Sequence, residues 1–199
     1  MISKPNSPIA LLGGSFNPAH AGHLRLSQYV LQALGIDQIW WLVAAQNPLK
    51  PKTGMAPYAA RLARAQAVAA ADARITVSDF EARHNTLYTI DTVRALHRAQ
   101  AQDRFIWLMG ADNWAGFHEW KDWQELAQII PLVIIARDPP GSSAAHTTVA
   151  AQTLAAAEHR GPSQGFAALQ PPAWVWLGGF SDPHSASAIR AQMPQNWWE

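Results

Sequence analysis

Ile9-Ala10-Leu11-Leu12-Gly13-Gly14-Ser15-Phe16-Asn17-Pro18-Ala19-His20-Ala21-Gly22-His23-Leu24 is a strand-length apolar run, a glycine pair, a polar passage and the start of a helical pattern. Two glycines let the backbone bend sharply and bring its N–H groups close to a ligand. The helix that follows points the positive end of its dipole at the same space, which suits a phosphate. His20 and His23 stand three apart at the helix entrance, so their rings can share one side. Two imidazoles over a helix N-terminus make a site for phosphate oxygens. Taken alone, the glycine pair could be no more than a tight turn. The competing motifs are absent from the sequence: there is no G-x-x-x-x-G-K-[ST], no G-x-G-x-x-G after the strand, and no H-E-x-x-H.

Outward from this stretch the chain alternates. Gln38–Val43, Arg74–Val77, Phe105–Met109, Leu132–Ala136 and Trp174–Leu177 join Ile9–Leu12 as predicted strands, each rich in Ile, Val, Leu or Trp. Such runs are typical of a parallel sheet covered on both faces. Trp40 and Trp41 are adjacent, so they face opposite sides of a strand and both sides must be covered. Helical patterns lie between: Gly22–Leu34, Pro57–Ala73, Thr89–Gln100 and Lys121–Gln128. Thr89 is the expected N-cap of its helix, with Asp91 in the first turn. The alternation predicts an α/β fold, a doubly wound Rossmann-like parallel sheet with helices on both faces. Gly141–Ala173 is poor in large apolar residues and is expected to be a surface excursion with local disorder and one helix over Thr148–His159. A last short helix is expected over Ser185–Met193.

Composition sets the outer limits. The 199 residues are 49% hydrophobic and 15% charged, enough apolar material for a core and too much for a disordered chain. Net charge is +1, without the basic excess of a nucleic-acid binder, so no DNA or RNA polymer is expected as a partner. There is no cysteine, which excludes disulfides, thiolate metal sites and cysteine nucleophiles. No apolar run approaches the roughly 20 residues of a membrane helix, and Ile9–Leu12 is too short for a secretory signal. The expectation is a cytoplasmic protein with no membrane partner.

The stretch Gly13–Leu24 resembles the G-G-[ST]-F-[DN]-P-x-H-x-G-H signature of the HxGH nucleotidyltransferase superfamily. Further stretches resemble one branch of it, the bacterial nicotinate-nucleotide adenylyltransferases. They are Asn47-Pro48-Leu49-Lys50, Tyr88-Thr89-Ile90-Asp91-Thr92, Gly110-Ala111-Asp112 followed by Trp120, Arg137, and Ser185-Ala186-Ser187-Ala188-Ile189-Arg190. The resemblance implies one nucleotidyltransferase domain over residues 1–199, with the excursion at about 141–173 as a variable part. It implies adenylyl transfer from ATP to nicotinate mononucleotide, giving nicotinate adenine dinucleotide and pyrophosphate, with Mg2+ carried by ATP and no metal held by the protein alone. The nucleophile would be a phosphate monoester oxygen, already largely ionised at neutral pH because its second pKa is about 6, so no general base is required.

Residue by residue, the resemblance implies backbone contacts from Gly13, Gly14 and Ser15 to nucleotide phosphates, with Phe16 beside them in the ATP site. His20, His23 and Arg190 take the catalytic roles, holding phosphates and stabilising the transition state. Gly110, Asp112, Arg137 and Ser187 complete the ATP site. Lys50 helps bind phosphate. Tyr88 and Thr89 receive the nicotinate carboxylate at a helix start, and Trp120 stacks on the pyridine ring. Two departures stand out. Asn17 replaces a frequent Asp, which should remove a negative charge near the phosphates, keep the shape and spare activity. Ala186 replaces a residue that often carries a hydroxyl.

Plainer roles compete with some of these. Trp120 could be a core tryptophan, Thr89 a plain cap, and Arg190 an exposed arginine. His84, His97, His118, His146 and His159 are read as surface or helix residues, and His184 is undecided. Trp197 and Trp198 either pack back on the core or form a self-association surface, so a homo-oligomer stays open. Two rival functions remain at this point: a sister enzyme using phosphopantetheine, which typically carries Thr at the position of His20, and a non-catalytic nucleotide sensor on the same fold.

Overall fold

A computed structural model describes residues 7–45, 54–136 and 146–182. Lys50, Arg137, His184, Ala186, Ser187, Arg190, Trp197, Trp198 and the helix expected over Ser185–Met193 lie outside the described residues.

Strands β1 (Ile9–Gly14), β2 (Gln38–Val43), β3 (Ile75–Ser78), β4 (Phe105–Gly110), β5 (Leu132–Ile135) and β6 (Trp174–Leu177) form one sheet. Its order is β3-β2-β1-β4-β5-β6 and every pairing is parallel. This is the expected doubly wound sheet. β1 and β4 run past their last large apolar residue into Gly13–Gly14 and Gly110, because the ladder needs only backbone groups; Gly13 pairs with Leu42 and Gly14 with Val43.

Alternate strand residues feed two cores. Leu11, Trp107, Leu132 and Ile134 face one; Ala10, Ile39, Trp41, Ile106, Leu108 and Val133 face the other. Trp41 is fully buried in the second core, and Trp40 packs on the first, 5.9 Å from the Phe105 ring. The second core is closed by α1 (Ala21–Leu34) and α2 (Tyr58–Ala69), through Val30, Leu31, Leu34, Ala65 and Ala69. The first is closed from the other side. There α3 (Phe80–His84), α4 (Thr89–Ala99), α5 (Ala111–Ala115) and α6 (Trp123–Ile129) supply Phe80, Ile90, Val93, Leu96, Trp114 and Leu126. Among the described residues no helix is long and apolar enough to cross a membrane.

The helix expected over Thr148–His159 is shorter. Thr148 caps α7 (Val149–Thr153), its Oγ1 accepting the Ala151 N–H at 3.0 Å, and a 3-10 turn follows at Ala155–Ala157. Ala150, Ala151 and Leu154 are buried against the sheet, and Trp174 Nε1 donates to the Leu154 carbonyl at 2.8 Å. α8 (Ser163–Phe166) places Phe166 in the second core. Small residues read as surface in the sequence, yet here they pack beside α5 and the 3-10 turn at Phe117–Glu119. The Glu158 segment then bridges to Trp174 and covers the outer side of β6.

The sheet reverses its winding between β1 and β4. Helix α1 leaves β1 over one face, and α4 enters β4 from the other, so a crevice opens at the carboxyl ends of these two strands. One buried polar chain ties α1 to the sheet below it. Trp41 Nε1 donates to Ser27 Oγ at 2.9 Å, and Ser27 Oγ donates to the His23 carbonyl at 2.9 Å. Ser27→Ala leaves the buried indole N–H without its acceptor and should cost about 1–3 kcal/mol. A urea titration should show a lower midpoint at unchanged slope; an unchanged midpoint refutes this account of the chain.

Candidate active site

The turn after β1 is shaped by contacts that leave little freedom. A Cβ on Gly13 would stand 2.7 Å from Cη2 of Trp107, a ring that is itself buried, so only glycine fits there. Phe16 adopts a positive φ of 46°, unusual for a residue with a bulky side chain. Its ring is buried, stacked on Trp41 at 5.1 Å and tilted to His23 at 4.9 Å. What Phe16 can offer a nucleotide is therefore its backbone N–H. Asn17 is also buried, and its side chain donates to the Gly54 carbonyl at 2.9 Å and accepts the Ala56 N–H at 3.1 Å. The expectation that Asn keeps the shape thus gains a structural content. Asn17 braces the chain at Gly54–Ala56, and Asp could accept from Ala56 but not donate to Gly54.

His20 and His23 come together as expected, ring centroids 4.0 Å apart. They do more than share a side. His20 is the N-cap of α1, and its Nδ1 accepts the Gly22 N–H at 3.1 Å. His23 Nδ1 in turn accepts the His20 N–H at 3.2 Å. The pair is a capping box with imidazoles in place of a hydroxyl and a carboxylate. Because each Nδ1 accepts, the neutral tautomer of each ring carries its proton on Nε2. The His23 pKa is pushed down to about 3, first by burial and second by the neighbouring His20. His23 is therefore an uncharged N–H donor at neutral pH.

The two rings line a cleft of about 230 Å³ together with Gly22, Ile135, Ala136 and Asp182. Asp182 is 8% exposed and receives the Arg25 guanidinium on both oxygens. A Cβ on Gly22 would meet the His20 ring at 2.8 Å and Asp182 Oδ1 at 3.1 Å, so this glycine too is fixed by crowding. Across the crevice, α5 starts at Gly110, where a Cβ would run into the Asp112 carboxylate. Asp112 is exposed in the first turn of α5.

The other wall is the start of α4. Tyr88, not Thr89, is the N-cap, with extended backbone and no side-chain cap bond; Thr89 is the first helical residue. This corrects the expected cap and leaves the first turn without a side-chain acceptor at its cap. Trp120 is half-buried, edge-on to Phe117 at 5.4 Å, which makes it neither a core tryptophan nor a free one. Its neighbour Lys121 reaches back to α4: Nζ lies 2.9 Å from Asp91 and 4.9 Å from the centre of the Tyr88 ring. Arg94 adds Asp91 at 3.4 Å and the Glu125 carboxylate. This ion cluster joins Tyr88 and Thr89 to the Trp120 segment, 31 residues on from Thr89 in the chain. Behind it, Glu81 on α3 is buried, and that burial pushes its carboxyl up to about 7, against the pull of the Thr92 hydroxyl.

Arg61, Arg25 and Lys121 carry structural weight that the sequence reading passed over. Arg61 is 1% exposed and bonds the carbonyls of Ser15, Ala44, Ala45 and Ala56. Its one signal in sequence is spacing: Arg61, Ala65 and Ala69 stand four apart and form the buried stripe of α2. Among the described histidines outside this pair, His84 stacks on Phe80 at 3.9 Å, and His146 pairs with Glu158 at 2.7 Å.

A cytidylyltransferase-like family model matches residues 11–192. A probable nicotinate-nucleotide adenylyltransferase of Parvibaculum lavamentivorans is 44% identical over 199 residues, covering 95% of this chain and 94% of that protein. One of Erythrobacter litoralis is 44% identical over 190 residues, covering 92% and 84%. Among solved structures, a Plasmodium falciparum nicotinic acid mononucleotide adenylyltransferase complexed with NaAD has a TM-score of 0.67 at 17% identity, over 94% of this chain and 83% of that one.

The depressed pKa of His23 has a measurable consequence. The unfolded chain takes up a proton on this residue near pH 6.5, the folded one only near pH 3. The stability this group contributes is thus intact above pH 6.5 and is lost as pH falls towards 3, at up to about 1.4 kcal/mol per pH unit. Glu81 acts oppositely: its contribution is full below pH 4.5 and is lost as pH rises through 7. Urea titrations between pH 4 and 6.5 isolate His23 by comparison with His23→Asn. The wild type should lose stability more steeply on acidification, by close to one proton; parallel curves contradict the assigned state.

Proposed function

The chain belongs to the cytidylyltransferase-like family, among its nicotinate-nucleotide adenylyltransferases, and we propose that it transfers the AMP part of ATP to nicotinate mononucleotide at the β1/β4 crevice. The products are nicotinate adenine dinucleotide and pyrophosphate, a step in NAD biosynthesis. The observation that carries the site assignment is the imidazole capping box at the mouth of α1: each Nδ1 is engaged by a backbone N–H, which sets the proton of each neutral ring on Nε2.

The attacking group is the 5′-phosphate oxygen of nicotinate mononucleotide, and the bond that breaks joins the α- and β-phosphates of ATP. Catalysis here is alignment of two anions and neutralisation of charge on the α-phosphate and on departing pyrophosphate. His20 and His23 donate from Nε2 to the phosphate oxygens, beside the positive end of α1. The Gly13–Phe16 turn supplies backbone N–H groups, and Gly110 and Asp112 meet the adenosine part. From sequence, Lys50, Arg137, Ser187 and Arg190 are assigned to the phosphates, Arg190 closing on the leaving group. On the acceptor side, the α4 start at Tyr88–Thr89 takes the nicotinate carboxylate as its capping anion, and Trp120 stacks on the pyridine ring.

The donors of the phosphate cleft suit magnesium that arrives with the triphosphate. Both histidine Nδ1 atoms accept backbone N–H groups and Asp182 receives Arg25, so phosphate oxygens and water are the natural ligands. Bound there, the ion neutralises phosphate charge. We infer a cytoplasmic location, which fits the use of ATP as donor.

Pyrophosphate release from ATP and magnesium with a panel of acceptor phosphates tests this reading. Nicotinate mononucleotide should be the preferred acceptor. The nicotinamide form should react far more slowly, because donors placed for a carboxylate are left poorly paired. Equal rates would remove the Thr89 assignment, and a preference for phosphopantetheine would replace the reaction. His20→Ala should lower kcat by about 10²-fold or more with a small change in ATP affinity, as for a donor acting mainly in the transition state. An unchanged kcat would remove His20 from the mechanism.

A further inference from the structure

Arg61 is a charged side chain deep in the protein, and its hydrogen-bond partners among the described residues are carbonyl oxygens. Nη1 reaches Ser15 at 2.6 Å and Ala44 at 2.8 Å, Nη2 reaches Ala45 at 3.1 Å, and Nε reaches Ala56 at 3.1 Å. The guanidinium also lies over the Tyr58 ring at 5.4 Å. Burial lowers its pKa, but from so high a starting value that it stays charged. Burying a cation is unfavourable unless its hydrogen bonds are all met, and an apolar side chain of like length would fill the same space. The arrangement is explained if the positions of the carbonyls are what matters.

We propose that Arg61 is the positioning residue of the phosphate-binding turn: by holding the Ser15 carbonyl on the β2 side, it turns the Phe16 N–H towards the β1/β4 crevice. This rests on the reading of that crevice as the ATP site. The direction follows from the topology. β1 lies between β2 and β4. Arg61 binds Ser15 together with Ala44 and Ala45, the two residues that follow β2, so the guanidinium sits on the β2 side of the turn. In a trans peptide the C=O and the next N–H point in opposite directions. With the Ser15 oxygen drawn to β2, the Phe16 N–H is aimed at β4.

The positive φ of Phe16 shows why such a hold is needed. Rotating the Ser15–Phe16 peptide by half a turn would carry φ into the ordinary extended range, which a bulky residue prefers. It would also put the carbonyl oxygen where a phosphate belongs. The 2.6 Å bond to Arg61 opposes that rotation from below, while the stack of the Phe16 ring on Trp41 holds the side chain in place. The guanidinium further covers the negative end of the Ser15–Phe16 peptide, leaving its positive end to face the crevice.

Arg61→Lys and Arg61→Gln test the proposal, each first checked for a cooperative urea transition. Lys keeps the charge but cannot span four carbonyls; Gln keeps a donor and loses the charge. In either folded variant KM for ATP should rise about tenfold or more and kcat fall, the size expected for losing one preorganised donor, while KM for nicotinate mononucleotide stays within twofold. The Phe16 amide signal in 15N-labelled protein should shift on adding ATP to the wild type and respond weakly in the variants. A folded variant whose ATP KM stays within twofold overturns the proposal. So does a parallel rise of both KM values, which marks general loosening. If the wild type releases no pyrophosphate with nicotinate mononucleotide, the assigned reaction fails. The Phe16 amide response to inorganic tripolyphosphate, wild type against Arg61→Lys, then still decides the role of Arg61.

Discussion

The first backbone N–H groups of a helix have no partner within it, and at α1 they are met by imidazole nitrogens. This choice has consequences that a serine or aspartate cap would not. A hydroxyl or carboxylate cap keeps further lone pairs but presents no ring N–H. An imidazole that accepts on Nδ1 has its tautomer and the plane of its ring fixed by that bond. Gly22 between the histidines is then required, because a Cβ would strike the His20 ring. Ser27 and Trp41 below them transmit the position of α1 to the sheet.

The two walls of the crevice belong to different cores. The α1 wall rests on the core of Trp41 and Leu31, the α4 wall on the core of Ile90 and Trp107. Only the sheet, and side chains that cross above it, relate one wall to the other. On the α4 side of the sheet, the Trp107 ring lies against Gly13 of the neighbouring strand. On the α4 side the cluster of Lys121, Asp91, Arg94 and Glu125 holds the Trp120 segment against the helix start. Single exposed ion pairs contribute little, but a cluster spanning α4 and α6 fixes a distance that neither element fixes alone.

Much of this was legible in the chain. Strand positions follow from apolar runs, and the paired histidines after two glycines mark the crevice end of β1. What is not legible shares a cause. The bond partners of Asn17, the cap of α4 and the burial around Ala150 depend on what lies opposite, not on residue type and local spacing. Asn17 faces Gly54 and Ala56, far along the chain. Thr89 yields the cap position to Tyr88 because the extended backbone ends one residue earlier. Ala150 and Ala151 are buried because α7 packs beside α5 and the Phe117–Glu119 turn, contacts that composition cannot show. Arg61 was missed for the same reason: an arginine in an alanine-rich helix reads as solvated until the carbonyls from other segments are seen around it.

The contact between Gly13 and Trp107 also constrains how this fold can vary. The glycine has no side chain because an indole occupies its place, and the indole can be that large because the glycine is bare. Neither position can drift by itself: a lineage that gains even a methyl at the one must surrender ring volume at the other, so the two should change together in descent, although their strands are far apart in the gene.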